Sequence, residues 1–297
     1  MVLSSVIALL SATLYGVSDF FGGVASLRLR VLPTTTTIYL CAALVLAIAL
    51  PFTAATWSVA AVLWGSAAGV FATVGFLTFY AAMAAGPISL VSPLIAVLES
   101  VVPVGVAVTL GEVLTPSGWL GIALAVLSGI LISVQRTKSH SHVTVRTVVL
   151  SSIAGLTLGL AIVALDRAPH SSRLVPGLLE IAVGIVLLAA LSLAVRGSER
   201  TRTFVSVLDH HDNTAGLPSR GRAMLLAVLG GLLLGGANAG LIFALQSGSL
   251  AIVAVLVGLY PLPTILVARL VIKERMTRTQ LIGIALAVIA SALLALN

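Results

Sequence analysis

The sequence predicts an all-α polytopic membrane protein with ten transmembrane helices arranged as two inverted five-helix repeats, and three observations carry the prediction. Hydrophobic residues make up 59% of the 297 and charged residues only 8%, with a mean hydropathy of +1.19, which is outside the range of soluble globular domains. Ten apolar stretches approach the roughly 20 residues that cross a bilayer as a helix at 1.5 Å rise per residue. One passage occurs twice: Glu112 to Val126 reads EVLTPSGWLGIALAV and Glu274 to Val288 reads ERMTRTQLIGIALAV, with Glu, Thr and GIALAV at the same internal spacing, 162 residues apart.

Taken in order, the first stretch, 3–26, has no Lys or Arg ahead of it and stays apolar through Val24, longer than the hydrophobic region of a secretory signal, so it is expected to be a retained helix. The second covers 34–52 and contains the single cysteine, Cys41, which excludes an intramolecular disulfide. The third, 58–83, carries Gly65, Gly69, Phe76 and Tyr80; the fourth, 88–110, carries Ser92, Pro93, Glu99 and Pro103. The fifth, 116–134, opens on the first GIALAV copy. The sixth, 146–166, holds Gly155 and Gly159, and the seventh, 174–195, holds Pro176 and Glu180. The eighth, 222–246, has Gly231, Gly235, Gly236, Asn238, Gly240 and Gln246; the ninth, 250–271, has Tyr260, Pro261, Pro263 and Thr264; the tenth, 278–296, carries the second GIALAV copy. Glycines four apart let helices approach closely.

Five helices per half is an odd number, so a duplication sets the second half (139–297) upside down relative to the first (1–138). Duplicated halves of this kind in a membrane point to a transporter. The net charge of +7 is topological rather than a nucleic-acid footprint: fourteen of the sixteen Lys and Arg fall in one set of alternate connections, and Arg167 and Arg173 in the other. The basic connections are therefore expected in the cytoplasm and both termini outside. The long polar connection, 196–222, has a short apolar patch at Phe204 to Leu208 and is expected on the membrane surface or mobile. His210 and His211 with Asp209 and Asp212, and His140 with His142, lack metal-ligand spacing and read as solvated loop. No metal or other cofactor is expected.

An ionisable side chain in hydrocarbon is costly, by about 2.5–3.5 kcal/mol at mid-helix on insertion scales, so each one needs an account. Asp19, Glu99 and Glu180 are the three. Glu99 ranks first, because it lies mid-span and Pro103, four residues on, has no amide to give its carbonyl. At the 162-residue offset Glu99 aligns with Pro261, so both halves are expected to contain a proline-interrupted helix at matching depth, a pointer to a transporter binding site. Asp19 ranks second and shares a face with Tyr15 at i,i+4; either carboxyl group can exchange a proton against substrate. Glu180, one turn past Pro176, reads as structural. Phe76, Tyr80, Ser92, Asn238, Gln246, Tyr260 and Thr264 are candidate cavity or interhelical residues. Glu112 and Glu274 precede the next helix and are expected to bond its first-turn amides.

With Leu14-Tyr15-Gly16-Val17-Ser18-Asp19-Phe20, Gly111-Glu112-Val113-Leu114-Thr115-Pro116, Trp119-Leu120-Gly121, Lys273-Glu274-Arg275-Met276-Thr277 and Ile282-Gly283, the chain resembles the drug/metabolite transporter superfamily and, within it, the ten-helix EamA-type transporters. The resemblance implies that helices one, three, four, six, eight and nine surround a central cavity, with five and ten peripheral. It further implies that Tyr15, Asp19, Tyr80, Glu99, Asn238 and Tyr260 line the cavity. The implied function is secondary transport, as an exporter of small metabolites such as amino acids or drugs, with protons as the coupling ion and the cell membrane as the site. The partners would be a small-molecule substrate and the lipid bilayer, and no nucleic acid. A flippase for a lipid or lipid-linked headgroup is the alternative on the same scaffold, but no mid-span Lys or Arg is visible to hold a phosphate. A membrane enzyme would need a nucleophile or metal cluster that the sequence does not offer, and no G-x-x-x-x-G-K-[ST] loop exists to bind ATP.

Overall fold

The computed structural model describes residues 2–85, 88–133, 144–206, 218–272 and 277–295. In chain order the helices are α1 (Val2–Leu29), α2 (Val31–Ala49), α3 (Val59–Ala85), α4 (Ile88–Thr109), α5 (Pro116–Ser133), α6 (Val145–Asp166), α7 (Val175–Gly197), α8 (Glu199–Ser206), α9 (Arg220–Leu245), α10 (Leu250–Val257), α11 (Pro261–Ile272) and α12 (Arg278–Ala295), and no strand occurs among the described residues. Among the described residues, seven segments are long and apolar enough to cross a membrane: α1, α2 with its 3₁₀ extension to Thr53, α3, α6, α7, α9 and Leu250–Ala268. Leu94–Thr109, Pro116–Leu131 and Leu281–Leu294 are shorter apolar helices. Large aliphatic side chains such as Leu3, Leu44, Leu63, Val186 and Val288 face outward, as lipid contact requires.

Several expected boundaries move for local reasons. The second helix starts at Val31 rather than 34, because Pro33 lies in its first turn, where a missing amide costs nothing. Arg30, at φ 70°, makes the corner from α1 in one residue. Along the helical run Thr34 to Thr37 each hydroxyl donates to the carbonyl four residues back, at 2.7–2.9 Å, so none is left unsatisfied in apolar surroundings. Within 196–222, α8 packs on α7, and its Val205 is buried in the core, so this part of the connection is docked rather than loose. Residues 207–217, 134–143 and 273–276, with His140, His142, Asp209 to Asp212 and Glu274, lie outside the described residues.

Glycine pairs set the helix crossings, since without Cβ atoms two backbones can touch. Gly65 and Gly69 of α3 face the Pro176 and Glu180 carbonyls of α7; Gly231 and Gly235 of α9 face the Ile38 and Ala42 carbonyls of α2. Gly155 and Gly159 of α6 face the Ile95 and Glu99 carbonyls of α4, and Gly16 of α1 faces the Tyr260 carbonyl. The helices α1 and α9, α3 and α6, and α5 and α12 pack along their lengths. The connections 50–58, 167–174 and 246–249 are hydrogen-bonded together at one end: Thr56 N donates to Ser171 O (3.0 Å), and Gln246 Nε2 to Arg173 O (3.0 Å).

The two proline-bearing spans differ, which corrects the expectation of matching interruptions. Helix α4 is continuous through Pro93 and Pro103. The ninth span is broken: α10 ends at Val257, Gly258 to Tyr260 form turns, and α11 starts at Pro261. Pro261 and Pro263 occupy the first turn of α11, where their absent amides have no helical partner to lose, so the chain restarts there at little cost. Pro103 removes only one bond from a helix held by Gly159 behind it.

Candidate functional site

Where α1, α3, α4, α6, α7, α9 and α10 converge, they line a small cavity. Its wall contains Tyr15 and Asp19 from α1, Phe76 and Phe79 from α3, Glu99 from α4, Glu180 from α7, and Tyr260 at the helix break. Leu165, next to the last residue of α6, and Leu241, near the end of α9, also line it, so the cavity runs from mid-depth toward the end where Glu112 and Gln246 lie. Helices α5 and α12 pack on each other and contribute no lining residue, as the resemblance implies.

The close crossings place these groups. Gly16 lets α1 lie against the Tyr260 carbonyl and the Pro263 ring, and Thr264 Oγ1 donates to Gly16 O at 2.9 Å across the contact. This brings Tyr15 and Asp19, one turn apart on one face of α1, to the cavity together with Tyr260. Gly159 does the same for α4, so that Glu99 points inward. Tyr260 interacts with Glu99 side chain to side chain, and its hydroxyl donates to the Ser92 carbonyl at 3.4 Å.

Asp19, Glu99 and Glu180 are all buried, at 3%, 9% and 4% exposure, so this wall brings together the three mid-span acids singled out from the sequence. Glu180 has a close donor, Asn238 Nδ2, which bonds its Oε2 at 2.8 Å, and Glu99 meets the Tyr260 hydroxyl. Asp19 Oδ1 and Glu99 Oε2 are buried with no hydrogen-bond partner among the described residues. An acceptor in that condition costs about 1–3 kcal/mol unless something supplies a donor.

Of the six residues expected in the site, Tyr15, Asp19, Glu99 and Tyr260 line the cavity. Tyr80 does not; it lies behind the wall, fully buried, stacked on Phe76 with centroids 6.0 Å apart and packed against Gly22 of α1. Asn238 sits one layer back, orienting Glu180. Gln246 caps the end of α9 and is not among the lining residues. Glu180, read from sequence as structural, is a wall residue. No local signal marks it, because its partner Asn238 is 58 residues away on another helix. The Pro176 and Glu180 carbonyls match the four-residue spacing of Gly65 and Gly69, but such glycines do not name the helix they will meet.

Glu112 also departs from expectation. Its carboxylate accepts from Leu250 N (3.0 Å) and Ala251 N (3.2 Å), so it caps α10 in the other half rather than its own following helix, whose first turn Thr115 serves instead.

A sequence model described as the EamA-like transporter family matches residues 145–296. No match was found among curated proteins. Among solved structures, one titled "Crystal structure of protein" is similar at a TM-score of 0.68 and 16% sequence identity, covering 98% of this chain and 95% of that one, a likeness of fold alone.

Proposed function

The chain belongs to the EamA-like transporter family, and on that premise we propose that it is a secondary active transporter that exports small metabolites by alternating access around this cavity, in exchange for protons. The observation that carries the reading is the meeting of Asp19, Glu99 and Glu180 on one enclosed wall beside a broken helix. Membrane carboxyl groups with no fixed counter-ion can load and release protons as the cavity changes its exposure.

The moving units in this reading are the two halves, 1–138 and 139–297, as inverted five-helix repeats in a ten-helix bundle. The packing supports it. If α1 to α5 are matched in order to α6, α7, α9, α10 with α11, and α12, the α1–α9 contact maps onto α6–α3, and α3–α7 maps onto α9–α2. The glycine crossings follow suit: Gly65 and Gly69 on α7 answer to Gly231 and Gly235 on α2. With the basic connections in the cytoplasm, the cavity lies toward the outer face of the cell membrane. The flippase alternative gains no support, since no Lys, Arg or His is among the lining residues to hold a phosphate.

Proteoliposome counterflow of a mixed amino-acid and metabolite pool under an imposed pH gradient tests the proposal. Gradient-dependent flux is expected for the native protein, and Glu99→Gln should lower it by about tenfold or more, the range of a lost proton carrier. Flux that survives the substitution would remove Glu99 from coupling and leave Asp19; no flux of any solute would sink the transport reading.

A further inference from the structure

We propose that the cavity selects a cationic amine or guanidine with an apolar or aromatic body, and discriminates against zwitterions and anions of the same shape. The proposal rests on the cavity being the transport site and goes further by assigning the charge of what enters it.

The charge inventory of the wall is one-sided. Three carboxyl groups, Asp19, Glu99 and Glu180, face the cavity, and no Lys, Arg or His accompanies them among the lining residues. Two of their oxygens, Asp19 Oδ1 and Glu99 Oε2, are buried without a donor. Of the neighbouring donors, the Asn238 amide is committed to Glu180 at 2.8 Å, and the single Tyr260 hydroxyl proton is shared between the Ser92 carbonyl at 3.4 Å and the Glu99 side chain. An ammonium group brings three N–H donors and no acceptor, and a guanidinium brings five, so either answers an acceptor-rich wall atom for atom. The carboxylate of an amino acid would find no fixed cation there and would lie near like charge, which disfavours it in low dielectric.

The rest of the wall suits the other end of such a molecule. Tyr15, Phe76, Phe79 and Tyr260 present aromatic surface beside the acids, which attracts a cation over its faces and packs an apolar body. Because the acids are acceptors for protons as well as for amines, entry of a cation and loading of a proton compete for the same oxygens, which is the linkage an exchanger needs.

Three ligands that share one phenethyl body and differ only in charge separate the possibilities: phenethylamine, phenylalanine and 3-phenylpropionate, with putrescine as an amine lacking a ring. Equilibrium dialysis of the detergent-solubilised full-length protein with radiolabelled phenethylamine, blanked against empty micelles, gives the rank order. Saturable binding of the amine is expected, competed by putrescine, with phenylalanine and 3-phenylpropionate weaker by about tenfold or more. Asp19→Asn and Glu99→Gln should each weaken amine binding by about tenfold, and Glu99→Asp, which keeps the charge, should retain part of it. Equal competition by the zwitterion or the anion, or no saturable amine binding to the native protein, would overturn the proposal without any variant. Counterflow of the same four compounds separates this from the transport reading. Amine binding without flux keeps the cation site and removes transport; flux of phenylalanine without amine binding does the reverse.

Discussion

Two contacts between half-chains, α1 on the ninth span and α6 on α4, use the same device and carry different chemistry. In one, Gly16 lies against the Tyr260 carbonyl with Pro263 and Thr264 beside it; in the other, Gly159 lies against the Glu99 carbonyl with Pro103 beside it. The residue whose carbonyl meets the glycine sends its side chain into the cavity in both cases, Tyr260 from one and Glu99 from the other. Backbone approach is settled by glycine and proline, which leaves the neighbouring side chain free to become an acid in one half and a phenol in the other. The backbone then differs too: Glu99 sits in a continuous helix, whereas Tyr260 ends a break, and Thr264 closes that break by donating its amide to the Tyr260 carbonyl at 3.2 Å.

The comparison can be broken most forcefully at the glycines. Gly16→Val would drive a side chain into the Tyr260 carbonyl and the Thr264 amide, both backbone atoms that cannot swing aside. A loss of about 3 kcal/mol, at the upper end for overpacking, is expected as loss of monodisperse protein on gel filtration. Gly159→Ala meets the Val102 side chain first, at 2.8 Å, and should cost less, about 1–2 kcal/mol, so that a larger effect at Gly159 than at Gly16 would contradict the ranking. Next comes the support of the third acid: Asn238→Ala leaves Glu180 without its donor and should lower stability by about 1–3 kcal/mol in detergent unfolding, while Glu180→Gln in the Asn238→Ala background should recover part of it. Glu112→Ala removes two hydrogen bonds from the first turn of α10 and should cost about 1 kcal/mol, reported by a lowered thermal midpoint with the α-helical signal retained. The smallest expected effect is at Tyr260→Phe, about 0.5–1 kcal/mol, because the ring remains and the hydroxyl's two contacts, the 3.4 Å bond to the Ser92 carbonyl and that with the Glu99 side chain, share one proton.

Much of this architecture was legible because hydropathy is a one-dimensional signal. Apolar length places α1, α3, α6, α7 and α9 within a few residues, and the paired prolines at 261 and 263 mark the break in the ninth span. Asp19 and Glu99 could be singled out because an acid in hydrocarbon is conspicuous by itself, and Tyr15 because i,i+4 spacing on a helix fixes a shared face. The burial of Glu180 was not legible for the same kind of reason in reverse: five residues into α7 it looks close to water, and only the docking of α3 and α9 around it shows it buried and paired with Asn238. Tyr80, by contrast, is deep in an apolar helix and aromatic, yet the crossing of α1 at Gly22 puts it behind the wall.

By itself the sequence determined that the chain is helical, that it is built for a membrane, that a passage recurs near the end of each half, and that acids are embedded among apolar residues. These follow from composition and spacing along the chain, which fold-independent transfer energies and helix geometry translate directly. The tertiary structure alone decided which acids face one another, which carbonyl each glycine meets, and that Glu112 serves a helix 138 residues away. Those are relations between helices, and inside a bilayer the apolar faces that would announce a partner are all alike. Small residues permit contact there without specifying it, so partner choice emerges only when the whole bundle packs.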